Sequence, residues 1–221
     1  MSKSFFLFLL PIFFCGTPVA FSQITPDEQL HLVNPGIQKW FPGWYISLQG
    51  DTVRGFIYLS NQIDNQMLLK YAVDNPPVSA IKTMTPADVR GYRVKDRVYE
   101  SLLTESTRDA APSFFRRMES GRINLYAWYS LPLSGTLPEG KKQRPITVND
   151  EKFHEQVFYL KTGDELPFRV PGNDHFAEEM SRLLADDKEL SGRVKQALKS
   201  YRAADILNII QEYNKWYRDQ H

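Results

Sequence analysis

The hydrophobic period of this chain changes once. Between Trp44 and Val170, apolar and polar side chains alternate at every second position. From Asn173 to His221 the apolar residues instead recur every three to four positions. Parallel βαβ units require strands and helices to alternate along the chain. Strands that all precede the helices point to hairpin-connected strands followed by a helical segment. The expected class is therefore α+β, a curved antiparallel β-sheet or open barrel of about eight strands followed by about three C-terminal helices. The expected organisation is a leader over 1–22, a β domain over 23–172, and a helical segment over 173–221 packing on the sheet.

Turn chemistry marks the strands. Trp44, Ile46 and Leu48 alternate with Tyr45, Ser47 and Gln49; Gly50-Asp51 follows, and alternation resumes through Leu59. Gly55 inside the second run points to a bulge or a close backbone approach. Lys95-Asp96, Ser120-Gly121 and Thr162-Gly163-Asp164 punctuate three further hairpins, the last pairing 153–161 with 165–170. Met67 to Val73 and Val78 to Lys82 are strand candidates, and Thr85-Pro86 starts a single helical turn with Thr85 as its cap. Residues 122–130 carry aromatics on both faces, which suits a curved sheet or one covered on both sides. The prolines and glycines of 131–149 predict a long loop. Helices are expected from Asn173 or Asp174, over 187–199, and over 203–218, where Ile206, Ile209, Ile210, Tyr213 and Trp216 form one face.

The first 22 residues read as an export address. Lys3 precedes an uncharged run from Phe5 to Phe14, interrupted by Pro11. That run is well short of the roughly 20 residues a membrane-spanning helix needs. Ala20 and Ser22 provide small residues for cleavage, making Gln23 the new N-terminus. Cys15, the only cysteine, would leave with the leader; Phe14 before it does not suit lipid attachment. The exported chain then lacks disulfides and thiol chemistry. The expected location is periplasmic or extracellular, with no membrane span in the mature chain. The full sequence has 27 Lys and Arg against 26 Asp and Glu. Such a balance lacks the basic excess of a nucleic-acid binder.

Sequence motifs give no catalytic, metal or cofactor residue. The four histidines form no zinc pattern. There is no G-x-S-x-G, no phosphate loop and no D-x-D-x-D-G calcium loop. Binding features are better represented. Arg116 and Arg117 adjoin Phe114-Phe115, and Lys141, Lys142 and Arg144 lie in the long loop; both suit contact with an anionic surface. Trp44, Tyr58, Tyr126 and Trp128 have rings suited to stacking on a sugar or a peptide, and equally to a core.

Several of these stretches occur together: Trp44 to Tyr58 (WYISLQGDTVRGFIY), Thr85 to Tyr99, Phe114-Phe115 with Gly121 to Tyr126, and Tyr213 to Tyr217. In this the chain resembles a group of uncharacterised exported bacterial envelope proteins that share a leading GDT-x-x-G hairpin and a helical tail. The resemblance implies a Gram-negative cell-envelope setting and supplies no catalytic residue. The expected function is a non-catalytic envelope module that binds an envelope protein or a glycan through the exposed sheet face or the 131–149 loop. The alternatives are a hydrolase of envelope polymers with a distributed site and a structural accessory of a surface complex.

Overall fold

Backbone conformation at the turns sets the strand boundaries. The computed structural model describes residues 40–75, 80–104, 111–132 and 154–221. β1 (Trp40–Ser47) and β2 (Thr52–Tyr58) meet at a turn where Gly50 has φ of 97°. Its N–H donates to Ser47 O at 3.0 Å, in a region of backbone space that glycine enters without steric cost. Lys95 and Gly163, at φ of 54° and 49°, lie in the turns that follow Val94 and Thr162.

The remaining strands are β3 (Leu69–Ala72), β4 (Lys82–Met84), β5 (Val89–Val94), β6 (Arg97–Leu102), β7 (Ser113–Glu119), β8 (Ile123–Ser130), β9 (Glu155–Thr162) and β10 (Phe168–Arg169). They form one sheet in the order β10-β9-β8-β7-β6-β5-β1-β2-β3-β4, with every pairing antiparallel. The sheet is open: β10 and β4 are its two edges. All described residues fall within the unit Asn34–His221.

Helices α2 (Asn173–Leu183), α3 (Lys188–Lys195) and α4 (Ile206–Gln220) follow the strands, with a 3₁₀ turn at Ala203–Asp205 before α4. The class is α+β as expected, and two counts are corrected. There are ten strands among the described residues instead of about eight. There are four helices instead of about three, because α1 (Gln62–Met67) lies between β2 and β3. α1 has six residues and no apolar stripe to announce it. Local hydrogen bonding builds it: Asn61 Oδ1 accepts from Asp64 N at 2.8 Å, and Asn65 exchanges two bonds with the backbone of Ser60.

Three local expectations also change. At Thr85 the roles reverse: Thr85 N and Oγ1 both donate to Asp88 Oδ2 at 2.7 Å, which holds the Asp88 carboxyl below its ordinary range. Gly172, not Asn173 or Asp174, is the N-cap of α2, without a side-chain bond. The run 165–170 contributes only the two residues of β10. The leader, residues 23–39 of the expected β domain, part of the 78–82 candidate and positions 133–149 of the loop lie outside the described residues.

One face of the sheet carries both cores. Toward the β1–β6 end it buries Ile57, Leu69, Tyr71, Val89, Tyr92, Val94, Tyr99 and Phe114. Tyr92 stacks on Tyr99 with centroids 4.6 Å apart and meets the edge of Phe114 at 5.0 Å. At Gly55 an added Cβ would lie 2.5 Å from Ala72 O and from the Tyr71 ring, so the close approach expected there is real. On β8 and β9 the same face offers Ile123, Leu125 and Leu160 to the helices. Phe176, Met180, Leu190, Val194, Ile206, Ile209, Ile210 and Tyr213 pack on them. Each such aliphatic side chain contributes about 1.5–3 kcal/mol by leaving water.

Two buried carboxamides tie helices to β8. In an antiparallel strand, alternate residues direct both backbone groups to the same neighbour. On β8 the pairing with β7 runs from Leu125 to Ala127, with a bulge between Arg117 and Glu119. Beyond it, Ile123 N donates to Asn214 Oδ1 at 3.0 Å and Asn214 Nδ2 donates to Ile123 O at 2.8 Å. At the other end Gln66 Nε2 donates to Tyr129 O at 2.8 Å, and Tyr129 N donates to Gln66 Oε1. Asn214 and Gln66 are 0% and 1% exposed. Gly121 leaves room for Asn214: an added Cβ would lie 2.4 Å from its Cγ.

Removing the Asn214 carboxamide strands two buried backbone groups, each costing about 1–3 kcal/mol. Asn214→Ala is expected to lower the unfolding free energy in urea by about 3 kcal/mol; a loss under about 1 kcal/mol would contradict the arrangement.

Candidate binding surface

The outer face of the sheet is built by the residues that alternate with the core. The registers align one of its transverse rows across eight strands. From β2 to β10 it reads Arg54, Trp44, Arg93, Val98, Arg117, Tyr126, Tyr159 and Arg169. The row holds four arginines and no carboxylate. At one strand spacing per step it extends about 34 Å along the sheet.

Trp44 lies directly between Arg54 and Arg93. Both arginines are exposed, and Trp44 is half-buried. Arg93 Nε donates to Lys95 O at 3.3 Å, and no carboxylate lies within ion-pair distance of it among the described residues. On the same face Trp40 meets Tyr58 edge-on at 5.4 Å, and Lys70 Nζ lies 5.3 Å from the Tyr58 ring centre. The β1–β2 end thus combines half-exposed rings with cations.

The β6–β8 end is more closed. Arg117 Nη1 pairs with Glu100 Oε1 at 2.6 Å, and Tyr126 Oη donates to Glu100 Oε2 at 2.6 Å. Tyr126 is 1% exposed. Burial and then the Glu100 charge push its phenol far above the ordinary range. Trp128, two residues along the same face, is half-buried.

The candidate residues from the sequence therefore separate. Trp44, Tyr58, Trp128 and Arg117 share the outer face with Tyr126, whose ring is withdrawn from solvent. Arg116 points to the opposite face, with Asp96 at 4.0 Å, so Arg116 and Arg117 do not form one patch. Lys141, Lys142 and Arg144 lie outside the described residues. Arg54, Arg93 and Arg169 were not singled out from the sequence. The Gly50 turn places Arg54 opposite Trp44, but Arg93 joins them only through the β1–β5 pairing, which no hairpin announces.

A concavity of about 560 Å³ lies among the helices and is lined by Asp186, Asp187, Lys188, Glu189, Arg193, Glu212 and Trp216. Its acids have structural partners. Asp187 Oδ1 accepts from the N–H groups of Glu189 and Leu190 and caps α3. Asp186 accepts from Tyr213 Oη at 2.7 Å. Glu212 accepts from Arg193 at 2.5 Å and from Tyr201 Oη at 3.2 Å. Among the described residues no group of three or more His, Cys, Asp or Glu is placed to hold a metal ion. Nor is any helix among them long and apolar enough to cross a membrane.

Comparisons with protein families, with curated proteins and with solved structures found no match.

The tyrosines give a pH prediction. Burial raises the Tyr92, Tyr126 and Tyr213 phenols above their ordinary range, with the neighbouring Tyr99, Glu100 and Asp186 adding to it respectively. The folded chain keeps these protons where the unfolded chain releases them, so their stabilisation is complete below about pH 10 and falls as pH rises past it. In an alkaline titration followed at 295 nm, these phenols are expected to ionise only as far-UV ellipticity is lost. Ionisation of every tyrosine near pH 10 with ellipticity intact would contradict this burial.

Proposed function

We propose that this chain is an exported, non-catalytic module of the cell envelope that binds an envelope partner through the outer face of its sheet. One observation carries the reading: Trp44 stands half-exposed between two exposed arginines, in a row free of carboxylates. Indole surface beside planar guanidinium groups is typical of a recognition surface, where aromatic and arginine side chains contribute most of the affinity. A sheet paired across ten strands supplies a rigid base for it.

The export part of the reading rests on Lys3, the apolar run Phe5–Phe14 and the small residues Ala20 and Ser22. The helical concavity favours a structural role over hydrolysis, since its acids cap a helix or hold Tyr213, Tyr201 and Arg193.

Two measurements test this. Material recovered from an envelope fraction is expected to begin at Gln23 by N-terminal sequencing; a chain retaining Met1 contradicts cleavage. In a sedimentation assay with isolated envelopes, Trp44→Ala is expected to weaken retention at least about tenfold, equivalent to about 1.4 kcal/mol. The change should leave the thermal midpoint near wild type, because Trp44 is not in the core. Retention that does not depend on Trp44 would refute the outer face as the binding surface.

A further inference from the structure

We propose that the β4 edge of the sheet is a separate interaction surface, which takes an extended, acid-bearing segment of another protein as an additional antiparallel strand. The proposal goes beyond the outer-face reading and does not depend on it.

The first ground is unpaired backbone. Each non-proline residue of a strand has one N–H and one C=O, and an interior strand divides them between two neighbours. β4 has one neighbour, β3, with Leu69, Lys70 and Tyr71 opposite Met84, Thr83 and Lys82. Its other side has no ladder partner among the described residues. Lys82 and Thr83 are exposed, as are Ala80 and Ile81 before them, so the edge is reached from solvent.

The second ground is the contrast with the opposite edge. There Val170 N already donates to Phe158 O at 2.9 Å, and Pro171 and Gly172 lead directly into α2. Proline has no N–H to offer a further strand. β4 contains no proline, and its pairing with β3 runs without a register shift. Of the devices that blunt a sheet edge, β4 keeps its short length and one lysine.

That lysine and its neighbours select the occupant. Lys82 lies beside Tyr71 on the inner face, and Thr83 beside Lys70 on the outer face. Met84 packs against the inner core, and Ile81 is 51% exposed. Lys82 has no carboxylate within ion-pair distance among the described residues. An added antiparallel strand sets one residue opposite each of these, and opposite charges across strands attract while like charges repel. A carboxylate therefore suits the place opposite Lys82, and apolar side chains suit those opposite Met84 and Ile81. The pattern along the partner is apolar, Thr, acid, apolar. A second copy of β4 is disfavoured, because it brings its own Lys82 directly or diagonally opposite.

The test titrates the exported chain with the peptide acetyl-Ser-Val-Thr-Glu-Val-Ser-amide, followed by amide NMR shifts. The comparison probes are the same peptide with Lys for Glu, and two forms of the Glu peptide N-methylated at alternate residues, one along each of its edges. The Glu peptide is expected to shift β3 and β4 amides and to bind about fivefold more tightly than the Lys peptide. Lys82→Glu, an exposed change expected to leave the thermal midpoint unaltered, should reverse that preference. N-methylation along the peptide edge that meets β4 should abolish binding, and methylation along the other edge should leave it intact.

No binding of the Glu peptide, equal binding of both methylated forms, or a preference indifferent to Lys82→Glu overturns the proposal. So does a chain that sediments as a dimer dissociated by the peptide, which assigns the edge to a second copy. Shifts confined to the surroundings of Trp44 overturn it as well, by placing the peptide on the outer face. Trp44-dependent envelope retention is a separate readout, so the failure of either reading is seen without the other.

Discussion

Two carboxamides, one at each end of β8, tie α4 and α1 to that strand. Asn214 comes from α4 and Gln66 from α1, and each satisfies both backbone groups of a single β8 residue. They act as one-residue substitutes for a neighbouring strand. Without them, the backbone of Ile123 and Tyr129 would be buried beyond the paired stretch of β7 with nothing to bond. Burying four backbone groups unpaired would consume a large share of the few kcal/mol that separates folded from unfolded chains. The contacts are long-range, 63 and 91 residues apart, so they lock the two helices to the strand only once the sheet exists.

The clamp also accounts for the curvature. α1 leaves β2, yet Gln66 reaches β8, and Tyr92 Oη on β5 donates to Asn65 O at 2.6 Å on the way. In the sheet β2 and β8 are five spacings apart, about 24 Å if it were flat. The sheet curls around α1, which turns one face inward as core. The other face becomes the outer surface, where Trp44 and its arginines are held in register by backbone pairing rather than by a mobile loop.

Much of this architecture was legible because turns and periods are local. Gly50, Lys95-Asp96 and Gly163 announce their hairpins through residues suited to left-handed or tight backbone, and the apolar stripe of α4 follows from Ile206, Ile209, Ile210 and Tyr213 alone. α1 was not legible, because its buried residues are Asn65 and Gln66, polar side chains whose partners lie on distant strands. Composition alone reads such residues as surface. The site divides the same way. Adjacency in sequence groups Arg116 with Arg117, yet neighbours on a strand face opposite ways, and only the strand registers put Trp44, Tyr58 and Trp128 on one face. Joining Arg93 to Trp44 needs the β1–β5 pairing, which is fixed by the whole sheet. The near-zero net charge could not show that Arg54, Arg93 and Arg117 share one row, since a sum over the chain carries no information about where charges lie.

Native-state hydrogen exchange at the two ends of β8 tests this picture most directly. If Asn214 and Gln66 clamp the strand, the Ile123 and Tyr129 amides exchange only through global unfolding, as slowly as those of Leu125 and Ala127 at its centre. Exchange of either amide at the faster rate of a fraying strand end, with the centre still protected, would contradict it.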